Sequence, residues 1–439
     1  MKEETLMRTR SFQTHREGRH SRSIVSVCLG CVLLSALIGL LLLLAVYGIP
    51  ARLMQDECYE SFPVLLEENT YPLDTYSGRT LDNFTDSTML LEAAYTGEES
   101  VLEQAVNVYS ARLETSSDPY TSFVSIYSEN GESTAPYEYA RYWHGYLVFL
   151  RPLLAKLNYP ELRQLNLIVQ YTLLLVLLCL IQKRQPSFLL PFLLTVLFLA
   201  PTAIGRVLEY SSVYYILLLF LLLLLWNPKG RITEENVWLL FLFAGIATAY
   251  FDYLTAPTLT LTIPLCLLYV RRAGRGTWKQ NAALFLRCCF VWGFGYAGMW
   301  GAKWILALLF QGRDFLSSLG KRMWLYTGPS IRGHIVTPLR ALQINLQELF
   351  KDRDLVVLYA GLACLLLAAA VCRRRHIDRK CLADALWVLL PVLIPLVWTI
   401  VLKNHVKRHY WFTYRTLTPL ILCPLCALSV LAAKGRKTP

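Results

Sequence analysis

The chain has 439 residues, 55% of them hydrophobic and 17% charged, with a mean hydropathy of +0.40. Soluble proteins carry about 25% charged residues, so this composition argues against a water-soluble globular fold. It also excludes disordered, collagen-like and disulfide-framework chains. The net charge of +12 is unevenly spread: residues 51–140 hold 17 of the 31 acidic residues and 3 of the 43 basic ones, a local −14 against +26 elsewhere. The positive charge comes in short pieces between apolar runs. That pattern fits a polytopic membrane protein with one acidic, water-exposed domain, and not a nucleic-acid binder.

Crossing a hydrocarbon core of about 30 Å takes roughly 17–25 apolar residues in a helix. Ten runs qualify in chain order: 24–49, 165–181, 188–205, 213–226, 237–251, 254–270, 283–301, 355–371, 383–402 and 416–433. The expected fold is an all-α integral membrane protein of about ten transmembrane helices. Run 213–226 is short unless it begins near Tyr210, and the runs flanking Asp252 form a tight hairpin or re-entrant segments. The chain thus divides into a basic tail (1–23), a first span (24–49), an acidic loop with an amphipathic interfacial segment (50–164), a bundle (165–310), a basic loop (311–354), a closing bundle (355–433) and a tail (434–439).

Lys and Arg set the orientation. Lys2, Arg8, Arg10, Arg16, Arg19 and Arg22 precede the first span, and later basic turns return to the same side: Lys183-Arg184, Lys229 with Arg231, Arg271-Arg272 with Arg275, Arg373-Arg374-Arg375 with Arg379-Lys380, and Lys434, Arg436 and Lys437. Both termini are expected in the cytoplasm, with the acidic loop outside. The first apolar run is too long for a signal-peptide core and reads as an uncleaved anchor. Of twelve cysteines only Cys58 falls outside, and the CxxC pairs Cys28/Cys31 and Cys423/Cys426 lie in apolar runs, as packed thiols do.

Basic residues on the expected outer side oppose the orientation rule. The 311–354 loop carries Arg313, Lys321, Arg322, Arg332, Arg340, Lys351 and Arg353, and the 403–415 turn carries Asn404, His405, Arg408, His409 and Arg415 among Tyr and Trp. Such a turn suits an interfacial anchor, or a site for the phosphate of a lipid headgroup. In the acidic loop, Asp82 or Thr85 can cap a helix. If the helix begins at Asp82, Asp82 and Asp86 lie four apart on one face, where paired carboxylates can divide base and orienting roles. Asp56-Glu57, just past the first span, is a second acidic candidate. Arg141 and His144 sit in the aromatic segment 139–154, Asp252 at the tip of a hairpin, and Lys303 near the outer end of its helix. His405 and His409 have metal-ligand spacing, but without the Glu of a zinc-protease motif and with cations between them. No nucleotide-binding or nucleophile motif occurs.

This layout resembles the GT-C superfamily of integral-membrane glycosyltransferases. The blocks LDNFTD, YARYWHG, YFDYLTAP, MWGAKW and NHxxxHYWFTYR are similar to those of a group of bacterial multi-span proteins. The resemblance implies transfer of a sugar from a polyprenyl-phosphate donor to an extracytoplasmic glycan, lipid or protein acceptor at the plasma membrane. It favours Asp86, with Asp82, as the base over Asp56. Arg141, Lys303, Arg408 and Arg415 would hold the departing phosphate, His405, His409 or His144 would protonate or orient it, and Asn404 and Asp252 would bind substrate. No resident cofactor is implied; a divalent cation is the one addition the chemistry admits. The competing readings are a lipid or polysaccharide transporter, a polysaccharide polymerase or ligase, a membrane acyltransferase and a non-catalytic assembly protein.

Overall fold

The computed structural model describes residues 2–128, 132–227, 230–331, 334–374 and 377–433, with side chains from residue 24 onward. Lys229, Arg332, Arg375 and the 434–439 tail lie outside the described residues, as do the side chains of the basic 1–23 tail. The chain opens with the long helix α1 (Lys2–Tyr47) and continues into the acidic domain: α2 (Arg52–Glu68), α3 (Asn83–Ala93), α4 (Val101–Asn107), β1 (Tyr109–Leu113), α5 (Pro119–Tyr127), β2 (Thr134–Glu138) and α6 (Leu147–Leu154). The bundle follows with α7 (Tyr159–Arg184), α8 (Leu189–Leu199), α9 (Pro201–Arg206), α10 (Leu208–Trp226), α11 (Trp238–Phe251), α12 (Leu259–Arg272) and α13 (Trp278–Gln311). Next come α14 (Arg313–Thr327), the hairpin β3 (Ser330–Ile331) and β4 (His334–Ile335), and α15 (Pro338–Leu349). The chain closes on α16 (Arg353–Cys372), α17 (Arg379–Leu389), α18 (Leu393–Val401), α19 (Lys403–Arg408), α20 (Tyr410–Thr413) and α21 (Pro419–Ala433).

Among the described residues seven helices are long and apolar enough to cross a membrane: Ile24–Tyr47, Tyr159–Arg184, Leu208–Trp226, Trp278–Gln311, Arg353–Cys372, Arg379–Val401 and Tyr410–Ala433. They coincide with seven of the ten apolar runs. The other three runs form the shorter helices α8, α11 and α12. Run 188–205 is broken because Ala200 takes a left-handed φ of 57° and Pro201, which has no N–H to donate, opens α9. The run beginning at 213 gains a turn, since α10 starts at Leu208. Burial ranks the long helices: 72% of the apolar window ending at Ala433 is buried against 6% of that in α16, so α21 is central and α16 peripheral.

Local sequence sets the helix starts. Asn158 and Glu161 form a reciprocal capping box on α7, and Thr277 and Gln280 do the same on α13. Gly245 and Gly295 let α11 and α13 touch backbone to backbone. A Cβ on Gly245 would collide with the Trp292 carbonyl, and one on Gly295 would lie 2.5 Å from the Leu242 carbonyl.

The acidic segment is a folded domain. β1 and β2 pair antiparallel, Tyr109 opposite Glu138 and Leu113 opposite Thr134. The amphipathic 139–154 segment packs one side against the protein and leaves Phe149 and Leu153 exposed. Only its second half is helical, and Trp143 and Arg151 are each 1% exposed. The Arg151 guanidinium explains the burial: it donates to the carbonyls of Val46 (3.0 Å), Ile49 (2.8 Å) and Ala93 (2.5 Å), tying α3 to the end of α1.

Candidate functional site

α3 is enclosed along most of its length, so its acids are core residues and not a solvated helix start. Asp82 is the N-cap, accepting from the Thr85 amide at 2.9 Å, and Asn83 is the first helical residue. Its second oxygen accepts from the Trp411 indole at 3.1 Å, which joins the acidic helix to the 403–415 turn. Tyr71 packs edge-on to Trp411, with ring centroids 5.3 Å apart. Burial raises the Asp82 pKa, opposed by its hydrogen bonds to Thr85 and Trp411.

Asp86 points elsewhere. Its carboxylate accepts from the Tyr159 hydroxyl at 2.5 Å and from the amides of Leu208 and Glu209 at 3.0 and 3.2 Å, so it caps α10 from another element. Burial pushes its pKa up to about 6, while Tyr159, Arg163 and the two amides pull the other way. Behind it, Arg163 pairs with Glu68 at 2.8 Å and Arg206 bridges Glu68 and Asp74 at 3.2 and 3.1 Å. Asp82 and Asp86 therefore face different partners.

The 403–415 turn divides into fixed and open groups. Asn404 donates to the Leu325 and Gly328 carbonyls at 3.1 and 2.9 Å, holding the end of α14. The Nε2 of His405 lies 2.9 Å from the Leu254 carbonyl, which makes Nε2 the protonated nitrogen and leaves Nδ1 as a buried acceptor without a partner. The His409 ring lies 4.9 Å from it, and its Nδ1 is likewise unpartnered. Burial depresses His405 to about 4, with Arg408 adding to the effect and the Leu254 carbonyl opposing it. Burial, His405, Arg408 and Arg322 all depress His409. Both rings are therefore neutral at physiological pH and bring no positive charge to a phosphate. That charge belongs to exposed Arg408 and half-buried Arg322 beside them. Arg415 is 3% exposed; its Nε donates to the Leu199 carbonyl at 2.9 Å, its guanidinium lies 4.4 Å over the Tyr210 ring, and both terminal nitrogens lack partners.

Asp252 stands beside a second buried cluster. Its carboxylate accepts from the Thr255 amide and, at 2.6 Å, from the Thr255 hydroxyl; burial raises its pKa to about 6 against those bonds. Two residues on, Leu254 has a φ of 69°, a conformation that a branched side chain adopts only under tertiary constraint. Between them Tyr253 donates to Glu92 at 2.9 Å, and Tyr146 donates to the same carboxylate oxygen. His144 shares this group through Nδ1 (3.1 Å to Glu92) and sets Nε2 2.7 Å from the Tyr139 carbonyl, its own φ being 56°. Gly145 makes the docking possible: its amide donates to the Tyr250 carbonyl at 3.0 Å, and a Cβ there would strike the Tyr250 ring.

The remaining expected residues disperse. Lys303 is 1% exposed, donates to the Val106 carbonyl and lies 5.7 Å from the Trp143 ring, clipping α13 to the acidic domain. Arg141 stacks at 4.6 Å over Tyr139, near Tyr142 and near Tyr326, whose ring lies 5.1 Å from that of His405. Asp56 is exposed on α2. Among the described residues no three His, Cys, Asp or Glu side chains are grouped to hold a metal ion.

Sequence reasoning missed Glu209, Tyr210, Trp411 and Glu92. Glu209 is buried in the first turn of α10, within electrostatic range of Asp82, Asp86 and Asp252. Thr85 lies within reach of its carboxylate, whose Oε2 has no partner. Its signal was a lone carboxylate opening an apolar run. An apolar cleft of about 570 Å³ completes the arrangement, lined by Phe285, Leu286, Trp292, Leu393, Val397, Trp398 and Val401 among others. Its Val401 end lies four residues before His405, and Thr258 in its wall lies four after Leu254. Comparison with protein families, curated proteins and solved structures finds no match.

Proposed function

We propose that the protein is a GT-C-type glycosyltransferase of the plasma membrane that moves a sugar from a polyprenyl-phosphate donor to an extracytoplasmic acceptor. In this reading α8, α11 and α12 also cross or enter the membrane, making ten spans with both termini in the cytoplasm. The acidic domain and the 403–415 turn then lie outside, where no nucleotide donor is at hand.

The observation that supports this best is a juxtaposition. An apolar cleft sized for part of an isoprenoid chain ends at the turn that carries exposed Arg408, beside half-buried Arg322 of α14, and that turn is bonded through Trp411 to a buried carboxylate helix. The tail would lie along Trp398 and Val401 with its phosphate at Arg322 and Arg408. The sugar would sit among Tyr71, Trp411 and Asp82, an aromatic face beside a hydrogen-bond acceptor. Neutral His405 offers its Nδ1 lone pair to a sugar hydroxyl and neutral His409 a ring nitrogen, while the guanidinium groups meet the charge that grows on the departing phosphate. Asp86 positions α10, and with it Glu209 and Tyr210, rather than meeting substrate.

The test uses the full chain in nanodiscs with radiolabelled polyprenyl-phosphate hexoses and pentoses. Release of polyprenyl phosphate, lost on combined Arg322→Gln and Arg408→Gln substitution, is the expected result. In proteoliposomes, passage of intact donor across the bilayer without cleavage would replace sugar transfer by transport.

A further inference from the structure

Asp82, Asp86 and Asp252 lie within electrostatic range of Glu209, and the hydrogen-bond inventory separates the four. Asp82 has the Thr85 amide on one oxygen and the Trp411 indole on the other. Asp86 holds two backbone amides and a tyrosine hydroxyl. Asp252 is folded back onto Thr255. A carboxylate whose lone pairs are already committed is a weak proton acceptor, because each donor must be given up before the oxygen takes a new proton. Glu209 alone of the four has an oxygen, Oε2, that is buried and unpartnered. An unsatisfied carboxylate oxygen in a 5%-exposed side chain is costly, and its persistence calls for a use.

Position agrees with this. Glu209 stands in the first turn of α10, whose amides Asp86 caps, so its backbone is held by a fixed element. Thr85 lies within reach of its carboxylate, and Oε2 has no partner. The next residue, Tyr210, lies under the Arg415 guanidinium at 4.4 Å and against Phe412 at 5.7 Å. The guanidinium whose terminal nitrogens are free therefore stacks on the ring of the residue that follows Glu209.

We propose that Glu209 is the catalytic base of the sugar transfer, a role that rests on the glycosyltransferase reading above. The acceptor hydroxyl loses its proton to Oε2 of Glu209 as its oxygen bonds to the anomeric carbon. The bond from that carbon to the phosphate oxygen breaks, and its electron pair leaves with the polyprenyl phosphate. Glu209 then returns its proton to solvent, which closes the cycle without oxidant or reductant.

Turnover and donor binding are measured for wild type and Glu209→Gln in nanodiscs with the polyprenyl-phosphate sugar panel. The expected result is a loss of turnover of about 10²–10⁴-fold, with donor affinity within about twofold and the melting temperature unchanged. Wild-type turnover in Glu209→Gln overturns the role of Glu209 and leaves the donor assignment standing. A wild-type protein that cleaves none of the panel overturns both. If Glu209→Gln does not fold, labelling of the wild type with a hydrophobic carbodiimide decides. Modification at Glu209, blocked by donor and matched by loss of turnover, supports the proposal; modification at Asp82 or Asp86 with Glu209 untouched overturns it.

Discussion

Two groups of buried charge meet at Asp86 and are built on opposite plans. On one side Glu68, Asp74, Arg163 and Arg206 pair so that no carboxylate oxygen is free; Asn83, Ser77 and Thr202 supply the remaining donors. On the other side Glu209, His405, His409 and Arg415 each keep a buried polar atom without a partner. The same chain thus satisfies its carboxylates where they hold the acidic domain onto α7 and α9, and leaves groups unsatisfied where Asp82 meets Trp411. Since Arg163 Nε in the first group also lacks a partner, the distinction lies in the uncommitted carboxylate oxygen of Glu209 and not in buried charge or any single free donor.

The largest way to break this comparison is Arg163→Met. Removing one partner of a buried ion pair leaves Glu68 undercompensated, and a loss of about 3–5 kcal/mol is expected in thermal or denaturant unfolding. Unchanged stability would show the closed network to be ornamental. Asp86→Asn comes next. It sets an amide N–H₂ against donors from Tyr159 and α10, and about 1–3 kcal/mol should be lost as that capping weakens. A variant with wild-type melting and no turnover would instead move Asp86 into the reactive group.

A pH series sharpens the contrast further. Asp252 and Asp86 have folded values near 6, above the ordinary 3.8 of an aspartate. Between about pH 4 and 6 the folded chain therefore holds more protons than the unfolded one, and their contribution to stability falls as pH rises. His405, held near 4 against an ordinary 6.5, works the other way, and stability rises with pH across its window. Asp252→Asn removes one falling contribution. Its melting temperature relative to wild type should climb from about pH 4 to about pH 7 and level off above; a constant difference would exclude an ionisable Asp252 at this depth. The smallest effect on stability is expected of Arg415→Met. It gives up the Nε bond to the Leu199 carbonyl and the stacking on Tyr210 but also removes a buried guanidinium whose terminal nitrogens have no partners, so unfolding should shift by only about 1 kcal/mol, while the proposed sugar transfer falls. A collapse like that of Arg163→Met would place Arg415 in the closed network.

Much of the architecture was legible in the sequence, for physical reasons that also explain the gaps. Apolar length is a local property, so seven runs appear as long helices. The shorter three were blurred because a left-handed Ala200 and a strained Leu254 are set by tertiary packing and not by composition. The capping of α3 by Asp82 could be read from the residue type at a helix start. The partners of Asp86 could not, since Tyr159 and Leu208 lie 73 and 122 residues away. Lys303 was expected near the outer surface because helix rise alone carries it toward the end of α13; that the acidic domain covers that end is invisible in one dimension. Glu209 was passed over as an ordinary flanking charge, although a carboxylate opening an apolar run is held at low dielectric whenever another element closes over it.

The contact between Gly245 and Gly295 has a consequence for descent. Because no side chain separates α11 from α13, the height of Asp252 at the tip of α11 is registered against α13 by bare backbone. A sequence that drifts elsewhere can keep this geometry only by keeping both glycines, because any Cβ at either position meets backbone of the other helix. Distant kin of this protein should therefore be sought first by two glycines fifty residues apart on neighbouring apolar helices, and only then by their acids.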